Sequence, residues 1–396
     1  MGKKKVVIGL SGGVDSSVAA YQLLKEGYEV EGLFMINWKD GSVTLRGNCT
    51  WEEDLIVAEL VAKKLSIPLH VVDSSERYAE KVADYMFAEY QKGNTPNPDV
   101  LCNREIKFDV FLERVNEIDA DFFATGHYAR KDTVIIDGKK VYRLLAGIDK
   151  NKDQSYFLCQ LNQKQLEKAL FPLGEMEKPQ VREIAARLDL ASAYRKDSQG
   201  LCFIGKVDLP TFLQQKLAAK KGNIILIPPE KVTEKIQRSF TGEREKIKSL
   251  CQKYSFSPSD GIIVGEHKGA HFYTIGQRKG LNVGGMAEPV FVIATDVINN
   301  IVYTGMGKNH PGLFRHGLFV PANDLHWVRP CMEMKVGEER RYLCRIRYRQ
   351  ALEAATLYRF DEGMYFVFDK PQRGVAAGQF AAWYDGDELI GSGVIS

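Results

Sequence analysis

Apolar residues follow two different rhythms along this chain. From Lys5 to about Thr125, short apolar runs alternate with stretches whose apolar residues recur every three or four positions. Lys5 to Leu10, Val30 to Ile36, Leu69 to Val72 and Phe122 to Thr125 read as strands. Ser16 to Lys25, Glu52 to Leu65, Tyr78 to Lys92 and Ile106 to Ile118 read as helices. Strands separated by helices predict an α/β fold with a doubly wound parallel sheet, and such sheets bind ligands at the carboxyl ends of their strands. Val134 to Ile136 and Val141 to Leu145 flank a turn and predict a hairpin, and helices return at Gln163 to Leu170 and Pro179 to Leu188. After about Pro289 the rhythm becomes that of short strands between turn residues, which predicts a C-terminal β-barrel or sandwich. The expected division is 1–207 for the α/β domain, 208–288 for a small central domain and 289–396 for the barrel. The lysine-rich stretch near 220–259, broken by Pro228-Pro229, reads as an insertion in the central domain.

Composition narrows the picture only a little. With 396 residues, 44% of them hydrophobic and 27% charged, the chain can bury two or three cores. The net charge is only +3, so a polyanion would have to be met by local patches. No stretch approaches the roughly 20 apolar residues that span a bilayer, and no apolar signal core follows the basic start, so a cytoplasmic protein without a membrane partner is expected. The seven cysteines are odd in number and include no Cys-x-x-Cys pair, unlike a disulfide framework or a structural zinc site.

The strongest local signal is Gly9-Leu10-Ser11-Gly12-Gly13-Val14-Asp15-Ser16, between the first strand and the first helix. A Gly-rich turn leading into a helix gathers backbone N–H groups around an anion. The string lacks the Gly-Lys-Ser/Thr ending of a Walker A loop, so no lysine follows to pair with a transferred γ-phosphate. That favours chemistry at the α-phosphate of ATP, with pyrophosphate leaving. Asp15 is placed to hold Mg²⁺ or to orient the substrate, and Ser11, Ser16 and Ser17 add hydroxyl donors. The plainer reading is a Gly-Gly turn with serine caps.

The string SGGVDSS resembles the signature of the PP-loop ATP pyrophosphatases. Gly32 to Met35, Thr95 to Asn103, Ala124 to Arg130, Lys152 to Tyr156, Asp197 to Gly205 and Tyr273 to Leu281 extend the resemblance over nearly the whole chain, to the tRNA-specific 2-thiouridylase family. The resemblance implies Cys202 as a persulfide carrier, Cys102 as the nucleophile that frees the product through a transient Cys102–Cys202 disulfide, and Asp99 as general acid/base. It implies an ATP site that includes Met35 and Gly126. It implies contacts to the target base or tRNA from Asn97, Pro98, Asp99, His127, Lys152, Asp153, Gln154, Arg347, Tyr348 and Gln379. The expected partners are tRNAs for Lys, Glu and Gln with a wobble uridine, and a sulfur donor such as a cysteine desulfurase or relay protein. Lys206 stands where the family usually has an acidic residue.

Plainer readings stand beside these. Asn97-Pro98-Asp99 also reads as a turn and helix cap, and His127 as a core histidine. An unperturbed thiol titrates at about 8.5, and Arg104, Lys107 or Lys196 are the nearby cations able to lower it. Cys102 and Cys202 sit in loop-like stretches where access is expected; the other five cysteines are assigned to packing. Arg341, Arg345, Arg347 and Arg349 alternate with apolar residues, which predicts one strand with an arginine face suited to phosphates. A solvated face beside Glu338 and Glu353 is the alternative. Lys216, Lys220 and Lys221 form a second candidate patch. Two other function classes fit parts of the pattern: an amidating PP-loop ligase, which leaves the two cysteines unused, and a non-catalytic RNA-binding or sulfur-relay protein, which leaves the phosphate loop unused.

Overall fold

The computed structural model describes residues 2–39, 51–196, 209–214, 216–236 and 242–396. Five parallel strands lie in the order Leu69–Asp73, Glu29–Ile36, Lys5–Gly9, Phe122–Ala124, Ala169–Leu170. The pleat sends alternate side chains to opposite faces. Val7, Leu33, Met35 and Phe123 enter one core with Phe108 and Phe111, while Val6, Ile8, Phe34 and Ala124 enter another with Val18 and Leu23. Helices therefore cover both faces, as the near-continuous apolar strands require.

The strand order creates the site. Lys5–Gly9 pairs with Glu29–Ile36 on one side and with Phe122–Ala124 on the other. The chain winds outward in one direction and then crosses to the other, so a crevice opens at the carboxyl ends between these halves. The Gly-rich loop and the turn beginning at Thr125 border it.

Tertiary pairing corrects several local readings. The expected helix from Gln163 to Leu170 stops at Lys168, and Ala169–Leu170 becomes the edge strand beside Phe123–Ala124. The Tyr78–Lys92 stretch is a helix broken by a π turn at Ala79–Ala83. The hairpin is longer than expected, Ala129–Ile136 with Lys139–Ala146, and turns through Asp137 and Gly138 at φ 50° and 73°. It leaves the α/β domain and pairs through Leu144 and Leu145 with Leu389 and Glu388 of the C-terminal sheet.

The central sheet has the order Val290–Asp296, Ile301–Met306, Gly222–Leu226, Ile262–His267. Its first two strands were expected in the barrel. Val302 and Val292 instead share a core with Ile224, so burial decides their partner. Gly222–Leu226 is an interior strand, which makes the start of the lysine-rich stretch integral rather than inserted. The helix Glu243–Leu250 packs Ile247 against Tyr365 of the C-terminal domain. That domain is an antiparallel sheet in the order Phe314–Pro321, Gly363–Arg373, Glu353–Phe360, Glu339–Arg345, Phe380–Asp385, Glu388–Val394, extended on the far side by the hairpin strands. No helix among the described residues is long and apolar enough to cross a membrane.

Candidate active site

The Gly-rich loop is shaped by close approaches. A Cβ on Gly9 would sit 2.5 Å from Phe111, and one on Gly12 would sit 2.3 Å from the Asp54 carbonyl oxygen. Gly12 also has φ +71°, where a side chain is strained. Gly13 caps the helix Val14–Lys25 without a side chain, so the first-turn N–H groups of Val14, Asp15 and Ser16 have no intrahelical acceptor. Gly126 comes so near that its Cβ would lie 2.9 Å from the Ser16 nitrogen. Open N–H groups between two glycine approaches at a sheet switch point suit a nucleotide phosphate. Leu10 and Val14 are buried, so they offer only backbone to this crevice. Met35 is also in the core, at the end of its strand.

The serines act differently from expectation. Ser11 N–H donates to Ser16 Oγ (3.1 Å), and the Ser16 and Ser17 hydroxyls donate to the Gly13 carbonyl (3.1 and 2.8 Å). They hold the loop closed upon itself.

Asp15 has partners that sequence reasoning missed. Its Oδ1 accepts from Lys178 Nζ at 2.6 Å and from the Tyr128 hydroxyl at 2.8 Å. Both side chains are almost wholly buried. Lys178 opens the helix Lys178–Arg187, whose start the Glu177–Gln180 capping box fixes. A lysine does therefore reach the phosphate loop, but from 163 positions away. Arg195 likewise donates to the Gly12 carbonyl (3.2 Å) and pairs with Asp54 (2.8 Å). No residue spacing announced either contact; the lysine before Pro179 was the only trace. Among the described residues no group of three His, Cys, Asp or Glu side chains is arranged to hold a metal.

The second cluster is the turn at Asn97. Asn97 caps the short helix Pro98–Cys102, its Oδ1 accepting from Val100 N–H at 3.2 Å. Pro98 takes the first helical position, and Asp99 is half-buried in the first turn. Cys102 is 0% exposed, which corrects the loop-like, accessible reading. A π turn, Asn103–Lys107, follows immediately, and π turns often mark functional positions. The Asn103 amide donates to the carbonyls of Asp99 (3.0 Å) and Phe157 (3.1 Å). Gln379, far away in sequence, donates to the carbonyls of Thr95 (2.7 Å) and Pro96 (3.3 Å) and accepts from Asn97 (3.3 Å). The C-terminal domain thus grips the turn that carries Cys102.

The remaining candidates divide. His127 is buried against Thr125 (2.8 Å) and stacked on Phe108; burial, with Lys107 adding to it, holds its pKa well below the usual 6.5. Gln154 bonds the backbone of Tyr128 on both its N–H and C=O sides (3.0 and 2.9 Å). Asp153 accepts from the N–H groups of Gly147 and Ser155 and pairs with Arg345 at 2.7 Å, both side chains being buried. Lys152 is half-buried beside them. The expected arginine strand ends at Arg345. Arg341 pairs with Asp369 (2.6 Å), Arg345 points inward, Arg347 donates to the Arg373 carbonyl (2.8 Å), and Arg349 turns away at φ 62°. Arg341 and Arg345 share a strand face, but Arg345 is buried on Asp153 and Arg347 and Arg349 lie beyond the strand, so the four form no exposed stripe. Tyr348 packs its ring 4.4 Å from that of Phe157.

Of the cations considered for Cys102, Arg104 is committed to Glu105 (2.6 Å) and Gln160 (2.8 Å), and Lys196 is exposed. Lys216 pairs with Asp84, and Lys221 with Glu266 at 3.2 Å, so the second lysine patch is partly neutralised. Cys159, Cys251 and Cys344 are buried as expected, and burial pushes the first two up to about 12. Cys331 is exposed, against expectation. Cys202, with the Asp197 to Gly205 motif, Lys206 and Cys49, lies outside the described residues.

An uncapped helix start in the switch-point crevice of a parallel sheet defines a nucleotide-binding α/β enzyme of the PP-loop kind. Residues 4–206 match the profile described as tRNA methyl transferase HUP domain, 252–306 the tRNA methyl transferase PRC-barrel domain, and 319–395 the aminomethyltransferase β-barrel domain. The chain is 58% identical over 394 residues to a Flavobacterium johnsoniae protein named tRNA-specific 2-thiouridylase MnmA, covering 99% of this chain and 100% of that one. Proteins of the same name from Karelsulcia muelleri (46% over 394 residues, 100% and 99% covered) and Pseudomonas fluorescens (43% over 397 residues, 99% and 95% covered) are similar along their whole length. This chain belongs to the tRNA-specific 2-thiouridylase family.

Proposed function

We infer that this chain is an ATP-dependent tRNA-uridine 2-sulfurtransferase, acting on the wobble uridine of tRNAs for Lys, Glu and Gln. The observation that carries this is end-to-end similarity to 2-thiouridylases, joined to an open phosphate loop and a buried cysteine in the short helix Pro98–Cys102. The uridine C2 oxygen attacks the α-phosphorus of ATP held by the loop N–H groups and Gly126, and pyrophosphate leaves. The terminal sulfur of a Cys202 persulfide then attacks C2, and the C2–O bond breaks with loss of AMP. The Cys102 thiolate attacks Cys202 Sγ, which breaks the sulfur–sulfur bond to the base and leaves 2-thiouridine and a Cys102–Cys202 disulfide. An external thiol reduces that disulfide, and a cysteine desulfurase or relay protein recharges Cys202.

Asp99 moves the proton at the target base, with Asn97 and Pro98 fixing its turn. Cys102 is fully buried, so its attack requires the turn to yield when the base enters. His127, Lys152, Asp153, Gln154, Arg347, Tyr348 and Gln379 border or brace the RNA side of the crevice. Mg²⁺ would supply charge neutralisation to the triphosphate. The carboxylates beside the loop are Asp15 and Asp54, each already facing a cation, and no step is drawn through the metal. The setting is cytoplasmic. Methyl transfer, which the profile descriptions mention, would leave the phosphate loop without a role.

The test is mass spectrometry of tRNA from cells lacking this chain. Wobble 2-thiouridine should disappear and return with the wild type but not with Cys102→Ser or Cys202→Ser. Undiminished 2-thiouridine in the deletion strain would overturn the assignment, and normal sulfur insertion by Cys202→Ser would remove the persulfide role.

A further inference from the structure

A cavity of about 140 Å³ lies where the three parts of the chain meet. Thr95 of the α/β domain, Lys253 and Tyr254 of the central region, and Arg315 with Val375 to Ala377 of the C-terminal domain line it. Arg315 is 7% exposed, at a β-bulge of the strand Phe314–Pro321 that re-aims its side chain. Its only hydrogen bond among the described residues goes to the Cys251 carbonyl, and its buried Nε has no partner. Lys253 has no ion-pair partner among the described residues, and no carboxylate lines the cavity. Lys253 is exposed by surface area, yet its ammonium is sheltered enough that burial, then Arg315, lowers its pKa. Lys92, a third cation of the lining, is already met by Glu89 (2.7 Å), which also accepts from Asn94 (2.7 Å).

Two neighbouring cations without a counter-charge, one of them buried, are costly unless an anion joins them. We propose that this cavity binds a phosphate group, held between Arg315 and Lys253. A backbone phosphate of the bound RNA is its source. The cavity wall runs directly into the turn that carries Cys102: Thr95 N–H donates to the Ala377 carbonyl at 2.7 Å, and Gln379 grips Thr95 and Pro96. A phosphate seated there fixes the RNA strand beside that turn. The choice of RNA as source rests on the proposed function; the phosphate chemistry does not.

Two measurements on the full chain test this with Lys253→Gln, an exposed substitution, and Arg315→Lys, which keeps the buried charge. The first is thermal stabilisation by inorganic phosphate against chloride at matched ionic strength. The second is the salt dependence of tRNA binding. Lys253→Gln should lose part of the phosphate stabilisation, weaken every tRNA by the same factor and lower the salt slope by about one. Lost phosphate stabilisation with an unchanged tRNA slope keeps the site and makes its ligand a free anion. If wild type binds no tRNA, the proposed function fails while the phosphate arm still decides the site. Equal phosphate stabilisation and equal tRNA slope in wild type and both variants overturn the proposal.

Discussion

The phosphate loop and the cysteine turn are built in opposite ways. The loop is mostly contiguous: residues 9–17 supply the glycines, the open N–H groups and the serines that fold it, and Arg195 and Lys178 add support from outside. The cysteine turn is held from outside, by Gln379, Phe157 and the Thr95–Ala377 bond. Anion binding at a helix start needs only backbone, which adjacent residues can shape. Sulfur chemistry on a large RNA needs a cysteine, a base pocket and an RNA surface together, and no short segment supplies all three. The loop should therefore fail when its own residues change, and the turn when the distant domain changes.

Cys102→Ser tests the sharpest form of this contrast. Thiolation should fall to background while ATP–pyrophosphate exchange with tRNA persists; loss of both would merge the two regions into one unit. Asp153→Ala removes one partner of the buried pair with Arg345 and should cost about 3–5 kcal/mol in urea unfolding. A change near zero would return Asp153 to a purely RNA-contacting role. Lys178→Met takes the cation from Asp15 and should weaken ATP roughly tenfold or more, measured by exchange kinetics. Unaltered ATP binding would mean that the loop is as self-sufficient as its sequence suggests.

Gln379→Ala should slow thiolation roughly tenfold through misplacement of the turn and leave exchange intact. An equal loss of exchange would show that the barrel braces the loop as well. The smallest effect concerns pH. Burial lowers the pKa values of His127, His267, His310 and His326 below 6.5. The unfolded chain then binds more protons than the folded one, so stability is complete above about pH 6.5 and falls as pH drops below it. Urea midpoints measured from neutral to mildly acid pH should decline, and His127→Gln should flatten part of that decline.

Much of the α/β fold was legible because its strands and helices carry their own periodicity, and the crevice follows from their order. What escaped was pairing. Ala169–Leu170 is a strand only because Phe123–Ala124 lies beside it. The hairpin Ala129–Ala146 gave no sign that it would join a sheet more than 240 residues on. Alternation also misled at Arg345, where the period placed an exposed cation and the structure buries it on Asp153. A buried acid in reach outweighed the pattern.

By itself, then, the sequence determined the Gly-rich loop, its helix and the parallel sheet beneath them, since backbone conformation and apolar period are local properties. It also carried the family resemblance that singled out Cys102. Only the tertiary structure decided that Lys178 and Tyr128 meet Asp15, that Gln379 grips the turn at Asn97, and that Arg315 and Lys253 face one cavity. Those contacts join residues far apart in sequence, the first within the α/β domain and the other two between domains, and their geometry depends on how sheets stack and strands pair rather than on any neighbouring residue.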